Sequence, residues 1–389
     1  MYQIKLVLAD FDGSYLDRVT GFINSSSFCA GIRVSSFTEV QRLADFLAPG
    51  GEKADILLAH PGFIDAMPDL RSCFELVVIL ADGRVNSGLQ DYQTVFKYQP
   101  GDKMLGRILE MYAERNPKAA KAVAGTKESR LVTVYSPAGG VGKTSAAFAL
   151  ASRMGDYGSS VLYLNWESIN SMAAVLPGTG ECGMTRVLLG LGEDPDTLPL
   201  KFELYKKRSS EFNLDFFEPP ESFVEYSEIQ GDFGLLFTKL KETGMYDIIV
   251  ADLDSAINGS AVRILGLSDH IVLMVAADQV CRYKTGEFFR QAGHSGLFPG
   301  MIDPVKLFPV ANKTGSGGIL PPDEYGLPDI HNLPNEYGLP DKTGLPVRFA
   351  VPYIPDLWTS NEGKFSFDTG QVFRSAIDPL ARMLISGQG

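Results

Sequence analysis

A glycine-rich segment followed by a lysine and a threonine is the part of this sequence best suited to chemistry. Residues 136–145 read SPAGGVGKTS. Glycines let backbone N–H groups approach phosphates closely, and the N-terminus of a following helix carries partial positive charge. Lys143 can reach the β- and γ-phosphates of a nucleotide, and the Thr144 hydroxyl can ligate Mg²⁺. We therefore predict a nucleotide-phosphate site made of Gly139, Gly140, Val141, Gly142, Lys143, Thr144 and Ser145.

Two carboxylates that end apolar, strand-like runs are the candidates for handling the metal and the attacking water. Asp252 follows the run 246–251, and Glu167 follows the run 161–166. We expect Asp252 to face Mg²⁺ and its waters, and Glu167 to orient a water near the γ-phosphate. Asp254 is a lesser candidate beside Asp252. The alternatives left open are a helix-capping role for Asp252 and an ordinary surface position for Glu167.

The charge balance argues against broad nucleic-acid binding, which needs clustered basic residues. The 389 residues include 35 Lys and Arg against 47 Asp and Glu, a net charge of −12. The basic segment 201–208 is expected to be a solvated surface. The four cysteines form no CxxC pair, the first apolar run is too short for a signal peptide, and no run is long enough to cross a bilayer. We therefore predict a cytoplasmic protein without a transmembrane segment.

Apolar runs that alternate with helical stretches predict an α/β fold in two domains. Residues 1–124 contain five short strand-like runs, which suit a flavodoxin-like or receiver-like parallel sheet. Residues 125–130 form a polar hinge. Residues 131–389 start at the glycine-rich segment and predict a larger, doubly wound parallel sheet. Residues 313–346 are rich in Gly and Pro, contain EYGLP twice, and predict a long insertion, either structured or disordered.

The phosphate loop, the acid-ended strands and three later segments resemble the MinD/ParA-type P-loop ATPases over residues 130–389. The later segments are SDHIVLMVAADQV, FPVANKT and VPYIPD. The resemblance implies ATP as the nucleotide, catalytic roles for Lys143, Glu167 and Asp252, and metal contacts from Thr144 and Asp252. It places Asn312 and Lys313 at the base. It also implies a loop closing over the adenine, which contains Pro352, Ile354, Pro355 and Asp356.

One departure from that family bears on hydrolysis. The family has a lysine two residues before the second glycine of the loop, which crosses a dimer interface to the partner's nucleotide; this chain has Ala138 there. The family's strand-end aspartate pair reads Asn165 and Glu167 here. Loss of a transition-state cation in phosphoryl transfer costs orders of magnitude in rate. We therefore predict slow ATP hydrolysis, with the nucleotide acting mainly as a structural switch.

The first domain resembles a response-regulator receiver that has lost its phosphorylation chemistry. Asp10 and Asp12 follow the first strand, but His60 stands where the phosphoacceptor aspartate is expected and Ala81 ends the fourth strand. The fifth strand is predicted to end in Gln99-Pro100, where receivers have Lys-Pro. Without an acceptor carboxylate, we expect protein contacts from this domain, in dimerisation or partner docking. Phosphorylation of His60 is the alternative left open.

A receiver-like domain joined to such an ATPase resembles the TadZ/CpaE family across essentially the whole chain. The resemblance implies a homodimer at the cell pole that positions or recruits Flp/Tad pilus assembly proteins. Any association with the inner membrane is expected to run through partners. The alternatives are a DNA- or cargo-partitioning ParA-type ATPase, an iron–sulfur carrier, and a scaffold. The carrier would need a cysteine pair near the C-terminus, and the scaffold would bind nucleotide without hydrolysis or not at all.

Overall fold

The computed structural model describes residues 4–25, 32–48, 53–83, 89, 91–116, 128–167, 169–176, 178, 183–193, 198–220, 222, 233–297, 301–314, 327, 347–361, 364–368 and 370–387. The chain divides into two compact units. The first comprises Met1–Ala124 and Asp194–Tyr205, and the second comprises Gly125–Glu193 and Lys206–Gly389. Residues 194–205 fall within the predicted second domain, 131–389, but belong to the first unit.

The strands of the first unit form one parallel sheet in the order β2-β1-β3-β4-β5. They are β1 (Ile4–Ala9), β2 (Ile32–Phe37), β3 (Ile56–Ala59), β4 (Leu76–Ala81) and β5 (Gln93–Phe96).

The second unit contains a larger sheet and a separate antiparallel hairpin. The strands of the sheet are β6 (Arg130–Tyr135), β7 (Val161–Trp166), β8 (Lys206–Ser209), β9 (Leu214–Phe217), β10 (Ile248–Leu253), β11 (His270–Val275), β12 (Leu307–Thr314) and β13 (Phe349–Pro352). The hairpin strands are β14 (Trp358–Asn361) and β15 (Lys364–Phe367). The sheet order is β13-β12-β11-β6-β10-β7-β9-β8, and β8 is its antiparallel edge strand.

The described α-helices connect and cover these strands. They are α1 (Gly13–Ser25), α2 (Val40–Phe46), α3 (Pro61–Ala66), α4 (Leu70–Cys73), α5 (Gly101–Arg115), α6 (Lys143–Asp156), α7 (Gly183–Glu193), α8 (Leu198–Tyr205), α9 (Phe233–Thr243), α10 (Gly259–Leu267), α11 (Gln279–His294) and α12 (Gln371–Ser386). The predicted α/β class with two parallel sheets is confirmed.

Both faces of the first sheet are buried, which explains why β1 is apolar throughout. Successive residues of a strand point to opposite faces. Leu6 and Leu8 accordingly belong to one core cluster with residues of α1 and α5, whereas Val7 and Ala9 belong to another with residues of α2, α3 and α4. Leu204 of α8 joins the cluster on α5, so this helix is packed as part of the first unit.

The phosphate loop leaves the second sheet at the point where the strand order reverses. β6 lies between β10 and β11. The chain runs from β6 to strands on the β10 side, and then crosses to β11, β12 and β13 on the other side. Ligands of open α/β sheets bind beyond the carboxyl ends of the strands at such a switch point. The glycine-rich segment lies at this place, between β6 and α6.

Packing on both faces of β6 holds the strand that carries the loop. Val134 shares a core cluster with Ala147 of α6 and Ile377 of α12. Thr133, on the opposite face, shares a hydrogen bond with Ser268, which directly follows α10, at an Oγ–Oγ distance of 2.6 Å. The loop therefore starts from a strand that is fixed from two sides.

Some sequence predictions need correction and others fall on residues that are not described. The strands β8, β13, β14 and β15 were not predicted; each is only four residues long. The apolar residues of the C-terminal segment 372–384 predict one buried helix face, and Val372 is an exception because it is exposed. Lys313 and Thr314 end β12 rather than opening the insertion, of which only Leu327 is otherwise described. Residues 117–127, which include the first part of the predicted hinge 125–130, lie outside the described residues, and Arg130 already begins β6. The described helices are all too short or too polar to cross a membrane.

Candidate functional site

The glycine-rich segment makes a turn that only glycine accommodates at two positions. Gly140 has φ +73° and Gly142 has φ +87°, in the left-handed region that other residues rarely adopt. A Cβ on Gly142 would also lie 2.3 Å from the side-chain nitrogen of Asn312. Gly142 caps the N-terminus of α6, whose first N–H groups have no partner within the helix. The turn therefore presents unpaired N–H donors where a phosphate would bind.

Lys143 is held inside this turn. The side chain is buried, and its Nζ donates to Ser255 Oγ at 2.5 Å and lies 3.5 Å from the carbonyl oxygen of Ala138. Burial lowers the pKa of Lys143, and the negative charges of Asp252 and Glu167 oppose that shift. The ammonium is thus already desolvated and placed among acceptors, as a phosphate-binding lysine requires.

Asp252 lies near the end of β10 and has one carboxyl oxygen without a partner. The side chain is fully buried. Tyr163 Oη and Asn165 Nδ2 donate to Oδ2 at 3.1 and 3.0 Å, whereas Oδ1 has no hydrogen-bond partner. Burial raises the pKa of Asp252 to about 7, and the charge of Glu167 acts in the same direction. Leaving a buried polar oxygen unpaired is costly, and a bound cation with its waters would remove that cost.

Glu167 and Thr144 complete the acidic side of the site. Thr144 Oγ1 donates to Glu167 Oε1 at 3.1 Å, while Asn165 Nδ2 and Ser171 Oγ donate to Oε2 at 3.0 and 2.9 Å. The predicted metal contacts, Thr144 and Asp252, therefore belong to one hydrogen-bonded network. Mg²⁺ prefers oxygen ligands and usually binds through one or two protein groups plus substrate phosphates. The oxygen donors present here fit that ion.

Asn312 and Lys313, predicted at the base, both donate hydrogen bonds to the phosphate loop. Asn312 Nδ2 donates to the carbonyl oxygen of Val141 at 2.6 Å, and Lys313 Nζ donates to that of Gly140 at 2.6 Å. Lys313 has φ +56°, which turns the chain at the end of β12. These contacts tie β12 to the loop, and contact with a base stays a prediction.

The segment predicted to close over the adenine lies next to Asn312. β13 pairs in parallel with β12, so that Val351 is opposite Asn312 and Pro352 is opposite Thr314. Ile354 packs against the main core of the second unit, whereas Pro355 and Asp356 are exposed. The structure thus brings both predicted base-binding segments to one edge of the sheet.

Three residues of the site were not identified from sequence, and a fourth, Asn165, was noted there only as the replacement of a family aspartate. Tyr163 and Asn165 bind the acids, Ser255 binds Lys143, and Trp358 Nε1 donates to Ser145 Oγ at 2.8 Å. Tyr163 and Asn165 are two residues apart on β7, so their side chains point to the same face of the strand. This spacing was the available signal. Ser255 and Trp358 lie far from the loop in sequence, and only the fold brings them to it.

In the first unit, the residues that end the strands form a buried ion pair. Lys97 directly follows β5, and its Nζ lies 2.8 Å from Asp10 Oδ2. A lysine therefore does follow the fifth strand. This corrects the prediction of Gln99 at that place, because β5 stops at Phe96. Tyr15 Oη donates to the carbonyl oxygen of Lys97 at 3.1 Å, and burial followed by the Asp10 charge raises the pKa of Tyr15 to about 12. His60 caps α3, its Nδ1 accepting from the Gly62 N–H at 3.1 Å.

Comparisons with known proteins find similarity at the level of solved structures. No family model matches the chain, and no curated protein matches it by sequence. MinD of Pyrococcus horikoshii OT3, complexed with Mg-ADP, is 16% identical, with 66% of this chain and 96% of that chain covered and a TM-score of 0.47. A ParA-family ATPase of Chlorobium tepidum TLS is 15% identical over 65% of this chain and 99% of that chain, with a TM-score of 0.48. Cobyrinic acid a,c-diamide synthase of Mycobacterium smegmatis, with ADP and magnesium, is 16% identical over 67% and 97%, with a TM-score of 0.46.

Proposed function

We propose that this chain is a MinD/ParA-like, ATP- and Mg²⁺-binding protein that hydrolyses ATP slowly. The observation that carries the proposal is the pairing of a buried Lys143 inside a glycine turn with a buried Asp252 whose Oδ1 lacks a partner. One group is suited to phosphate and the other to a cation. Both lie at the switch point of the second sheet, where α/β folds bind ligands.

Each residue of the site has a separate role in this proposal. The loop N–H groups and Lys143 bind the phosphates, and Thr144 with Asp252 holds Mg²⁺, which neutralises charge on the phosphates when bound. Asn165 holds Glu167 and Asp252 in place. Glu167 orients water. Ala138 supplies no cation to the reaction, so hydrolysis is slow and the bound nucleotide acts chiefly on conformation.

Calorimetric titration of the full chain with ATP and Mg²⁺ tests nucleotide binding. We expect a single site in the wild type and its loss in Lys143→Ala, with Lys239→Ala, a surface lysine paired with Glu242, as the matched control. A steady-state ATPase assay tests the rate. Turnover near one per second without any partner would contradict slow hydrolysis, and the absence of binding by the wild type would refute the proposal as a whole.

Homodimerisation is proposed through the sheet edge that carries the nucleotide site. Three large apolar residues that follow carboxyl ends of strands are exposed there: Ile169 after β7 at 81%, Ile257 after β10 at 47%, and Val280 after β11 at 64%. Exposed apolar residues around a site are typical of interaction surfaces. Light scattering with and without ATP should show a nucleotide-dependent dimer, which Ile169→Asp should weaken. An unchanged mass would contradict it.

The cellular role that we propose is positioning of Flp/Tad pilus assembly and secretion machinery at the cell pole by a cytoplasmic protein. Its support is the order of the two units, a receiver-like sheet without an acceptor carboxylate followed by a P-loop sheet. A fluorescent fusion should form polar foci, and pull-down of the fusion should recover Flp/Tad proteins. A uniform distribution together with normal pilus assembly in a deletion strain would contradict this role.

A DNA-partitioning role is the alternative, and the charges of the described residues do not favour it. The basic strand β8 lies beside Asp215, which contacts Arg208 at 3.0 Å and Lys206 at 3.6 Å. The whole chain has a net charge of −12. Binding of non-specific DNA at physiological salt in a gel-shift assay would support partitioning instead.

A further inference from the structure

Ser255 closes a ring of hydrogen bonds across the mouth of the phosphate loop. Ser255 Oγ donates to the carbonyl oxygen of Ala138 at 2.9 Å and accepts from Lys143 Nζ at 2.5 Å. Lys143 Nζ itself lies 3.5 Å from that carbonyl oxygen. The Ser255 hydroxyl therefore links Ala138, which replaces the family's lysine, to Lys143, the proposed phosphate-binding residue.

The backbone of Ser255 is held by neighbours on both sides. Its N–H donates to Asp254 Oδ1 at 2.6 Å, and Tyr135 Oη lies 3.4 Å from its carbonyl oxygen. The side-chain hydroxyl, in contrast, rotates about a single bond and can redirect its proton. The backbone of Ser255 is thus fixed, whereas its hydroxyl can donate its hydrogen bond to more than one acceptor.

The shortest hydrogen bond of Lys143 goes to Ser255 Oγ, at 2.5 Å from Nζ. The ammonium has three donors, and a nucleotide phosphate would draw on the one that Ser255 now receives. A phosphate oxygen is only an acceptor, so it competes with Ser255 Oγ for Lys143 and offers Ser255 a new acceptor in place of Ala138. Hydrogen bonds to charged oxygens are stronger than those to a neutral carbonyl.

We propose that Ser255 is a specificity-determining residue that favours ATP over ADP, an inference that rests on the proposed function. With ATP, the hydroxyl turns from Ala138 to the γ-phosphate and releases Lys143. With ADP there is no γ-phosphate to accept the proton. The Ser255 hydroxyl then keeps its hydrogen bond to the Ala138 carbonyl and still accepts one from Lys143. The contact of Lys143 with the β-phosphate is weakened as a result.

Calorimetric titration of the full chain with AMPPNP and with ADP, each with Mg²⁺, tests this inference. Ser255→Ala removes both the γ-phosphate donor and the competitor for Lys143. We therefore expect the ratio of AMPPNP affinity to ADP affinity to fall about fivefold to tenfold, the worth of one hydrogen bond. Ser255→Thr keeps the hydroxyl and should keep the ratio. Ser260→Ala, in the first turn of α10, is the matched control and should also keep it.

The outcomes separate this inference from the proposed function. A wild type that binds neither nucleotide refutes both. A wild type that binds, with a ratio unchanged within twofold in Ser255→Ala, overturns the inference alone. A purely structural effect of the substitution would weaken both nucleotides equally and leave the ratio intact, so it counts against the inference. If Ser255→Ala does not fold, a ratio lowered in Ser255→Cys supports the inference, and an unchanged ratio overturns it.

Discussion

The indole N–H of Trp358 donates to the hydroxyl of Ser145 at 2.8 Å, so the β14–β15 hairpin contacts the first turn of the helix that follows the phosphate loop. Trp358 also packs on Phe367 of β15, with ring centroids 4.8 Å apart. We therefore expect a change at Ser145 to alter the surroundings of a fluorescent side chain.

The first prediction is an intrinsic fluorescence change on nucleotide binding. The chain has two tryptophans, and Trp166 is buried against Phe233 and Phe237. Titration with Mg-ADP should change the emission of the wild type and of Trp166→Phe, and leave Trp358→Phe nearly silent. A signal that survives in Trp358→Phe and disappears in Trp166→Phe would show that the hairpin does not sense the nucleotide.

The second prediction concerns the pH dependence of stability without nucleotide. The folded pKa of Asp252 is about 7 against an ordinary value of 3.8, so the folded protein holds this proton more tightly than the unfolded chain. The stability that results is complete below about pH 4 and is lost as the pH rises through about 7. The folded pKa of Asp252 lies about three pH units above its ordinary value, which corresponds to at most about 4 kcal/mol of folding stability.

Thermal unfolding at about pH 6 and pH 8 checks this prediction. The wild type should lose more stability than Asp252→Asn over that interval, because the amide does not titrate. Mg²⁺ with nucleotide should reduce the difference by stabilising the carboxylate. Equal pH dependence in the two proteins would show that Asp252 does not titrate in this range.

The third prediction concerns Asn165, whose amide lies between two carboxylates. Its Nδ2 is 3.0 Å from Glu167 Oε2 and 3.0 Å from Asp252 Oδ2. Asn165→Asp would place a third negative charge there and leave both acceptors without this donor, at a cost of about 1–3 kcal/mol. Melting temperature without nucleotide should fall, and Mg²⁺ should restore part of it.

Asn170→Asp is the matched control for that substitution. Asn170 Oδ1 accepts from the Met172 and Ala173 N–H groups at 2.9 and 3.1 Å, and an aspartate oxygen can replace it. We expect little change in melting temperature. Equal losses in Asn165→Asp and Asn170→Asp would argue against a specific role for the Asn165 amide.

The fourth prediction separates two glycines of the same loop. Gly142→Ala introduces a Cβ at φ +87° and 2.3 Å from Asn312 Nδ2, so we expect a loss of at least about 1–2 kcal/mol. A Cβ on Gly139 meets nothing within 4 Å, and Gly139→Ala should melt close to the wild type. Adding Asn312→Ala to Gly142→Ala should relieve only the steric part, because the positive φ remains.

The fifth prediction tests the ion pair of the first unit. Lys97 and Asp10 are both buried, so Lys97→Met would leave an unpaired buried carboxylate at a cost of about 3–5 kcal/mol. Asp10→Asn combined with Lys97→Met should recover much of that loss. The measurement is denaturant unfolding, followed by a probe in the first unit. A double variant as unstable as the single one would assign the loss to the lysine's packing.

Local patterns were sufficient where a side chain's role follows from its neighbours in sequence. The glycines at positions 140 and 142, Lys143 and Thr144 form one continuous stretch, and a strand before it with a helix after it determines its shape. Asp252 was identified because an apolar run ends in a carboxylate. The fifth strand was predicted to end in Gln99-Pro100, whereas β5 ends at Phe96, because side chains alone do not determine where backbone pairing stops.

The sequence by itself determined the α/β class, the phosphate loop and the acids around it, since period, composition and short motifs are local properties. Only the tertiary structure decided which distant residues make contact at the site. Asn312 and Lys313 donate hydrogen bonds to the phosphate loop, Asn165 lies between two carboxylates, and Ser255 accepts a hydrogen bond from Lys143. The tertiary structure also decided that α8 packs with the first unit. These contacts mostly join residues far apart in the chain, and their formation depends on which strands lie side by side, which no local pattern specifies.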